Sequence, residues 1–256
     1  MIVLPMAGLS SRFIKAGYRA PKYMLELGGR SVFTHALTSF EAFFDTEQFL
    51  IICRNTAGTP AFVCTECAAA GLAPGRLKLV VLDAETSGQA ETVALGLDRA
   101  GSGDGERLTI FNIDTFRPGF RHPDAFDPAM VDGYVEVFRA PGEHWSFVRP
   151  DPSDPGVCRA IEVAEKVRIS DLCSTGLYHF RTVGLFRALY AGIAAQDPAT
   201  LQGGERYIAP LYNTAIREGR DIRYSLIPKG AVAFCGTPAE YEALLAQGYP
   251  DGVLRG

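Results

Sequence analysis

The sequence lacks the marks of a membrane, polynucleotide-binding or disulfide-stabilised protein. No apolar stretch among its 256 residues approaches the roughly 20 that span a bilayer. The apolar start, Met1 to Leu9, is short, follows no basic region and runs into Ser10, Ser11 and Arg12, so it does not read as an export signal. There is no N-x-Ser/Thr sequon. Charge of one sign is scarce as well. With 25 basic and 29 acidic residues the formal net charge is −4, which offers no general basic field for nucleic acid. The six cysteines are scattered, as suits a reduced, cytoplasmic protein. Cys64 and Cys67 form a C-x-x-C, but no second such pair and no H-x-x-x-H follows to complete a zinc site. In their Ala-rich, helix-like setting both read as buried small side chains.

What is present is an ordinary globular composition, 47% hydrophobic and 21% charged, on a chain long enough for a sizeable core. Its first half alternates strand and helix signals. Strands are predicted at Ile2–Leu4, Phe49–Cys53, Leu79–Leu82 and Leu108–Ile113, and helices over 31–44, 61–70 and 88–99. Strands that are apolar throughout and separated by helices imply a parallel sheet covered on both faces. The second half is richer in strands: Gly133–Arg139, Ser146–Val148 paired with Val157–Val163 across a turn at Asp151 to Gly156, Gly176–Phe180 and Ile222–Ile227. Helices are expected over 183–195, 207–218 and 238–247. The expected architecture is a single α/β domain over 1–256, Rossmann-like, with a mostly parallel central sheet. Its halves divide near residue 130, the second being a β-rich extension.

The most informative stretch is the opening loop, Leu4-Pro5-Met6-Ala7-Gly8-Leu9-Ser10-Ser11-Arg12-Phe13, followed by Pro21-Lys22. A strand that stops at a small-residue loop leaves backbone N–H groups free to approach phosphates. Ser10 and Ser11 add hydroxyl donors, and Arg12 and Lys22 supply a planar fork and a point charge. The loop is neither a P-loop nor a G-x-G-x-x-G fingerprint.

At these residues the chain resembles the sugar-phosphate nucleotidyltransferases, whose loop runs A-G-x-G-[ST]-R before a P-K. Ser10 stands where that family has its second glycine, which matters because glycine reaches positive φ freely and serine does not. Further matches follow in the family's order: Gly88-Gln89-Ala90 with Thr92, Asn112-Ile113-Asp114, Glu165-Lys166, Ser174-Thr175-Gly176-Leu177-Tyr178 and Gly236-Thr237-Pro238. The resemblance implies that Pro5, Met6, Ala7, Gly8, Ser10, Ser11, Gln89 and Asn112 bind the nucleotide. Arg12, Lys22 and Asp114 would be catalytic, with Asp114 the ligand of a Mg²⁺ ion. Trp145, Ser146, Glu165, Lys166, Thr175 and Gly176 would line the acceptor side. Many members carry a second metal-binding aspartate at the C-terminal G-T-P, where this chain has Phe234-Cys235.

The implied reaction is attack by an acceptor phosphate oxygen on the α-phosphorus of a nucleoside triphosphate, with pyrophosphate leaving. Within the family the Ala7–Phe13, Gly88–Thr92 and Cys235–Pro238 segments resemble a subgroup linked to capsular polysaccharide synthesis. That subgroup includes cytidylyltransferases, some acting on unusual acceptors such as a phosphorylated glutamine. Homo-oligomers are compatible with such an enzyme. Two other functions fit the same fold: a GT-A-type glycosyltransferase and a non-catalytic nucleotide sensor. The first would carry D-x-D at the metal site, where Asn112-Ile113-Asp114 has one carboxylate of the two. The second would not need Arg12, Lys22, Asp114 and Lys166 together.

Overall fold

The structure, a computed structural model, describes residues 1–153 and 156–249. The first-half strands are β1 (Ile2–Met6), β2 (Glu26–Leu27), β3 (Arg30–Ser31), β4 (Phe49–Arg54), β5 (Leu77–Leu82), β6 (Leu108–Phe111) and β7 (Thr115–Phe116). The second half adds β8 (Gly133–Arg139), β9 (Ser146–Pro150), β10 (Ala160–Glu165), β11 (Leu172–Phe180), β12 (Ile222–Leu226) and β13 (Ala233–Phe234). Helices are α1 (Ser11–Lys15), α2 (Val32–Thr38), α3 (Thr59–Ala69), α4 (Gln89–Arg99), α5 (Val183–Ala194), α6 (Leu211–Arg217) and α7 (Pro238–Ala246).

Two compact units are each assembled from separate stretches of chain. One comprises Met1–Val3, Thr86–Phe111 and His122–Lys229; the other comprises Leu4–Glu85, Asn112–Arg121 and the described residues from Gly230 on. In the first unit β1 starts beside β6 in parallel, Ile2 opposite Thr109 and Val3 opposite Ile110. β11 continues from β6 in the antiparallel sense, and β8 and β9 flank β11. β12 is parallel to β8, and β10 is antiparallel to β9. All nine residues of β11 are buried, which a strand with neighbours on both sides and cover on both faces requires. Its core is aromatic: Phe180 stacks on Tyr212 with centroids 4.6 Å apart, and Tyr134 stacks on His179 at 4.9 Å.

In the second unit β1, β4 and β5 are successive strands, and β4 pairs with β5 in parallel from Phe49 opposite Leu77 to Arg54 opposite Leu82. Two short antiparallel ribbons, β2–β3 and β7–β13, complete it. The α/β class and the parallel pairing of the first-half strands stand as the sequence predicts.

Several boundaries differ, for local reasons. The helix expected over 31–44 stops at Thr38. There Thr38 Oγ1 donates back to Thr34 O at 2.8 Å and Ser39 Oγ donates to His35 O at 3.1 Å, and a separate 3₁₀ turn follows at Glu41–Phe43. The helix expected over 207–218 starts only at Leu211, because Pro210 supplies the fixed φ of a helix start. The strand expected to Ile113 ends at Phe111, where Thr115 N donates to Asn112 O and turns the chain. Of the turn expected at Asp151 to Gly156, Asp154 and Pro155 lie outside the described residues. The C-x-x-C reading needs correction: Cys67 is buried, but Cys64 is exposed because only Thr59, Val63 and Cys67, one residue in each turn of α3, face the core. Both are free thiols, and no cluster of metal-ligating side chains occurs among the described residues. No helix among them is long and apolar enough to cross a membrane.

Candidate active site

Pro5 and Met6 close β1 and Ala7 ends the buried run; Gly8 is exposed, and the chain then enters the five-residue helix α1. The turn between them depends on Ser10, which holds φ 52° and ψ 30°. This is the left-handed conformation that costs an L-residue about 1–2 kcal/mol, so the position keeps a glycine-like backbone while carrying a side chain. The hydroxyl has a use there: Ser10 Oγ accepts from Lys22 N at 3.2 Å, and Ser10 O accepts from Phe13 N and Ile14 N at 3.0 and 3.1 Å. Phe13 is buried against Tyr18 and Tyr241, and Tyr18 OH donates to Glu242, so the loop is anchored on α7. Ser11 and Arg12 are exposed.

Lys22 and Asp114 come together although 92 residues separate them. Lys22 Nζ donates to Asp114 Oδ2 at 2.5 Å, and each side chain is 21% exposed. Asp114 follows the Asn112 turn at the carboxyl end of β6, the edge at which α/β sheets bind ligands. Its carbonyl accepts from Cys235 N at 2.7 Å, fixing the β7–β13 ribbon beside it. Burial, with Asp114 the next cause, pushes the Cys235 thiol up to about 12, so it stays protonated. A methyl group on Gly236 would lie 3.0 Å from Asp114 Oδ2 and 3.5 Å from Glu240 Oε2. Only a residue without a side chain leaves the carboxylate this space. Glu240 is close but committed, accepting from Gly236 N, Thr237 N and Thr237 Oγ1 at 2.9, 2.9 and 3.0 Å as the capping box of α7.

The first unit carries the other predicted residues. Gln89 opens α4 half-buried, behind a loop whose Ser87 donates to Glu91 from both N and Oγ, at 2.5 and 2.6 Å. Burial raises the Glu91 carboxyl, but those bonds and Arg206 outweigh it and hold the group below its ordinary value. Glu91 is therefore spent on positioning this loop.

Glu165 ends β10 and Lys166 takes φ 55°, one of four non-glycine residues, with Ser10, Ala57 and Cys158, that hold positive φ among the described residues. Such strain clusters where side chains must be aimed. Lys166 N donates to Trp145 O at 2.9 Å, and its ammonium donates to Tyr207 OH while lying 4.4 Å from the centre of that ring. The buried Glu165 accepts from Ser146 Oγ, and Ser146 Oγ meets Tyr178 OH at 3.1 Å. Burial pushes the Glu165 carboxyl up, against the pull of Ser146 and Lys166. Trp145 is half-buried, its ring edge-on to Phe138 and its indole N–H donating to Pro141 O at 3.2 Å. Thr175 is buried and donates to Glu136 Oε1 at 3.1 Å. Gly176, at φ 89°, sits where the β11–β8 register slips.

Sequence reasoning did not find Glu136, Gln202, Arg206 or Tyr207. Tyr207 is one of ten tyrosines, and Arg206 stood inside a stretch expected to border a helix. Neither carries a spacing signal.

No protein-family model and no curated protein matches the chain. Solved structures do. The nucleoside-diphosphate-sugar pyrophosphorylase from Vibrio cholerae is 46% identical with a TM-score of 0.89, over 96% of this chain and 100% of that one. A Bacillus anthracis protein described as a glucose-1-phosphate thymidylyltransferase, solved with sucrose, shares the fold at a TM-score of 0.72 and 17% identity, over 97% of this chain and 94% of its own. The inositol-1-phosphate CTP transferase from T. maritima does so at 0.68 and 14%, over 96% and 94%. At 46% identity over nearly its whole length, the chain belongs to the nucleoside-diphosphate-sugar pyrophosphorylase family of nucleotidyltransferases, and it is an enzyme of that kind.

Proposed function

We propose that this enzyme transfers a nucleoside monophosphate from a nucleoside triphosphate to a phosphorylated sugar or related phosphorylated metabolite, releasing pyrophosphate. The observation that carries this reading is the Lys22–Asp114 pair at the end of β6, beside the Ser10 turn. A carboxylate and an ammonium side by side at the carboxyl end of a strand, the edge at which such sheets take ligands, support the binding of a phosphate chain and its cation there. CTP is the candidate donor, on the resemblance of Ala7–Phe13, Gly88–Thr92 and Cys235–Pro238 to the capsule-associated subgroup. Phosphorylated sugars and a phosphorylated amino-acid amide such as phosphoglutamine are the candidate acceptors. Capsule or cell-surface polysaccharide synthesis in the cytoplasm is the setting that follows.

The residues fit a Mg²⁺ ion. Asp114 Oδ2 already faces a cation, the Lys22 ammonium. Mg²⁺ needs only one or two protein carboxylates, the rest of its shell being water and phosphate oxygens. Asp114 would hold it, and when bound it supplies neutralisation of phosphate charge. Pro5, Met6, Ala7, Gly8, Ser10 and Ser11 offer backbone and hydroxyl groups to the triphosphate, and Gln89 and Asn112 its base and sugar. Lys22, released from Asp114, faces the α-phosphate; Arg12 meets the departing pyrophosphate. Lys166, held by Tyr207, takes the acceptor phosphate, and the family resemblance assigns Glu165, Ser146, Thr175, Gly176 and Trp145 to the acceptor side as well. A phosphate monoester with second pKa near 6 is already mostly dianionic at neutral pH, so its oxygen attacks without a general base. One P–O bond forms to the α-phosphorus as the bond to the β-phosphate oxygen breaks, and the chain's task is positioning and charge neutralisation.

The test is pyrophosphate release with CTP, UTP, ATP, GTP and dTTP against a panel of sugar 1-phosphates and phosphoglutamine, with Mg²⁺. Release that requires both substrates is expected. Transfer of sugar from a finished nucleotide sugar, or release with no pair, overturns the reading.

A further inference from the structure

The segment Gln202–Tyr207 touches both functional regions of the first unit, and no motif predicted it. At its centre Arg206 lies along the loop that precedes α4. Arg206 N donates to Ser87 O at 2.7 Å, and Ala90 N donates to Arg206 O at 2.8 Å, a two-bond backbone clasp around Gly88. Gly88 holds φ 144°, and a methyl group there would lie 2.6 Å from Arg206 N and O. Glycine is thus demanded twice, by backbone conformation and by the close approach. The guanidinium continues the clasp: it donates to Ser87 Oγ, to Glu91 Oε1 at 3.4 Å, and to the carbonyls of Ala194 and Gln196 at 2.9 Å each. These carbonyls lie at the carboxyl end of α5 and just past it, so the arginine ties the loop to a rigid element.

The neighbouring residues face the other way. Tyr207 OH accepts from Lys166 Nζ, and its ring lies beneath that ammonium. Gln202 Oε1 accepts from Glu165 N at 3.0 Å. One short stretch of chain therefore clasps Thr86–Ala90 with Arg206 and aims Lys166 with Tyr207. Arg206 and Tyr207 share one planar peptide unit, so a displacement of the clasped Arg206 carbonyl is carried into the backbone of Tyr207.

We propose that Arg206 and Tyr207 are paired positioning residues, through which a nucleotide seated on the Thr86–Ala90 loop orders Lys166 for the acceptor phosphate. The inference rests on the nucleotidyl-transfer reading above and adds to it an order of events. The triphosphate stiffens the loop, the clasp passes this to Tyr207, and the strained Lys166 is held ready. Positive coupling between the two substrates is the consequence, because the cost of ordering Lys166 is met by the first ligand.

Hydrogen exchange read by mass spectrometry tests this on the full-length protein. The probes are CTP, UTP, ATP, GTP and dTTP, each with Mg²⁺ and without acceptor. Whichever triphosphate binds wild type is expected to slow exchange in residues 86–94 and also in 164–168, where Lys166 N donates to Trp145 O. The second effect should be about fivefold, the lower end of ordinary coupling between sites. Arg206→Lys keeps the charge but loses the fork, and Tyr207→Phe loses one oxygen atom. In both variants slowing is expected at 86–94 alone. Tyr207→Phe keeps the ring and all backbone bonds, so it decides the matter even where Arg206→Lys fails to fold. Slowing nowhere in wild type, with all five triphosphates, overturns the nucleotide reading and this inference with it. Slowing in wild type that leaves 164–168 untouched, or that reaches it equally in both variants, leaves the reading standing and overturns the paired role.

Discussion

Asp114→Asn separates the structural and the catalytic work of the central ion pair. The substitution keeps volume and shape and removes only the charge that faces Lys22 Nζ at 2.5 Å. A hydrogen bond to a charged group contributes about 1.5–3 kcal/mol. Both side chains are 21% exposed, so solvent screening places the loss near the lower end, about 1.5 kcal/mol. At about 2 °C per kcal/mol for a chain of 256 residues, the melting temperature should fall by about 3 °C. Against a typical stability of about 5–15 kcal/mol the variant stays folded at 25 °C. Turnover should nevertheless fall at least about 10²-fold, the scale of losing one preorganised electrostatic contact. The assay is pyrophosphate release at saturating Mg²⁺, run beside a thermal melt followed by circular dichroism. Turnover within about threefold of wild type would refute the placement of the metal on Asp114. A melting temperature lowered by more than about 10 °C would show that the pair is a folding element first.

Gly236→Ala should cost about tenfold in turnover with little change in melting temperature, because the added methyl group meets Asp114 Oδ2 at 3.0 Å and displaces it; unchanged kinetics would mean that the carboxylate has room to give. Ser10→Gly relieves the left-handed strain but removes both the hydroxyl offered to the triphosphate and the bond to Lys22 N, so KM for the triphosphate should rise about threefold with the fold intact; an unchanged KM would show that only the backbone at this position meets the triphosphate. The buried His179 gives stability a steep acid limb. Burial, helped by His122, the N-terminal ammonium and Arg107, lowers its pKa to about 3. Between about 6.5 and 3 the unfolded chain binds a proton that the fold refuses, so stability is full above pH 6.5 and drains away below it, by on the order of 5 kcal/mol across the window. His179→Gln should flatten the melting temperature against pH between 6.5 and 4, and an equal slope in both proteins would remove His179 as the cause.

The sequence by itself determined the order of the longer strands and helices and the location of the loop, but not the short elements α1, β2, β3, β7 and β13. Phe49–Cys53 reads as a strand because it is apolar throughout, and Gly133–Arg139 because it alternates in the manner of a half-buried strand, although in the fold all of it but Arg139 is buried. Alanine and glycine beside Ser10-Ser11-Arg12 mark that stretch as a loop, and its resemblance to a family motif, rather than its composition, points to ligand approach. It also marked Ser10 as the position that needed explanation, since a serine stands where the backbone turns left-handed. What it could not determine is everything that depends on distant partners. Lys22 and Asp114 are 92 residues apart and meet only because the Asn112 turn and the Cys235–Asp114 backbone bond bring a strand end to the loop. Cys64 and Cys67, three residues apart, differ in burial because α3 has a covered and an open face, and spacing alone does not say which is which. Arg206 and Tyr207 carry no pattern at all. Their roles come from backbone hydrogen bonds to Ser87 and Ala90 and from a lysine 41 residues away. Local propensity and periodicity record what each residue does to its neighbours in the chain. The carboxylate, the ammonium and the tyrosine acquire their chemistry from groups that only folding brings within 3 Å.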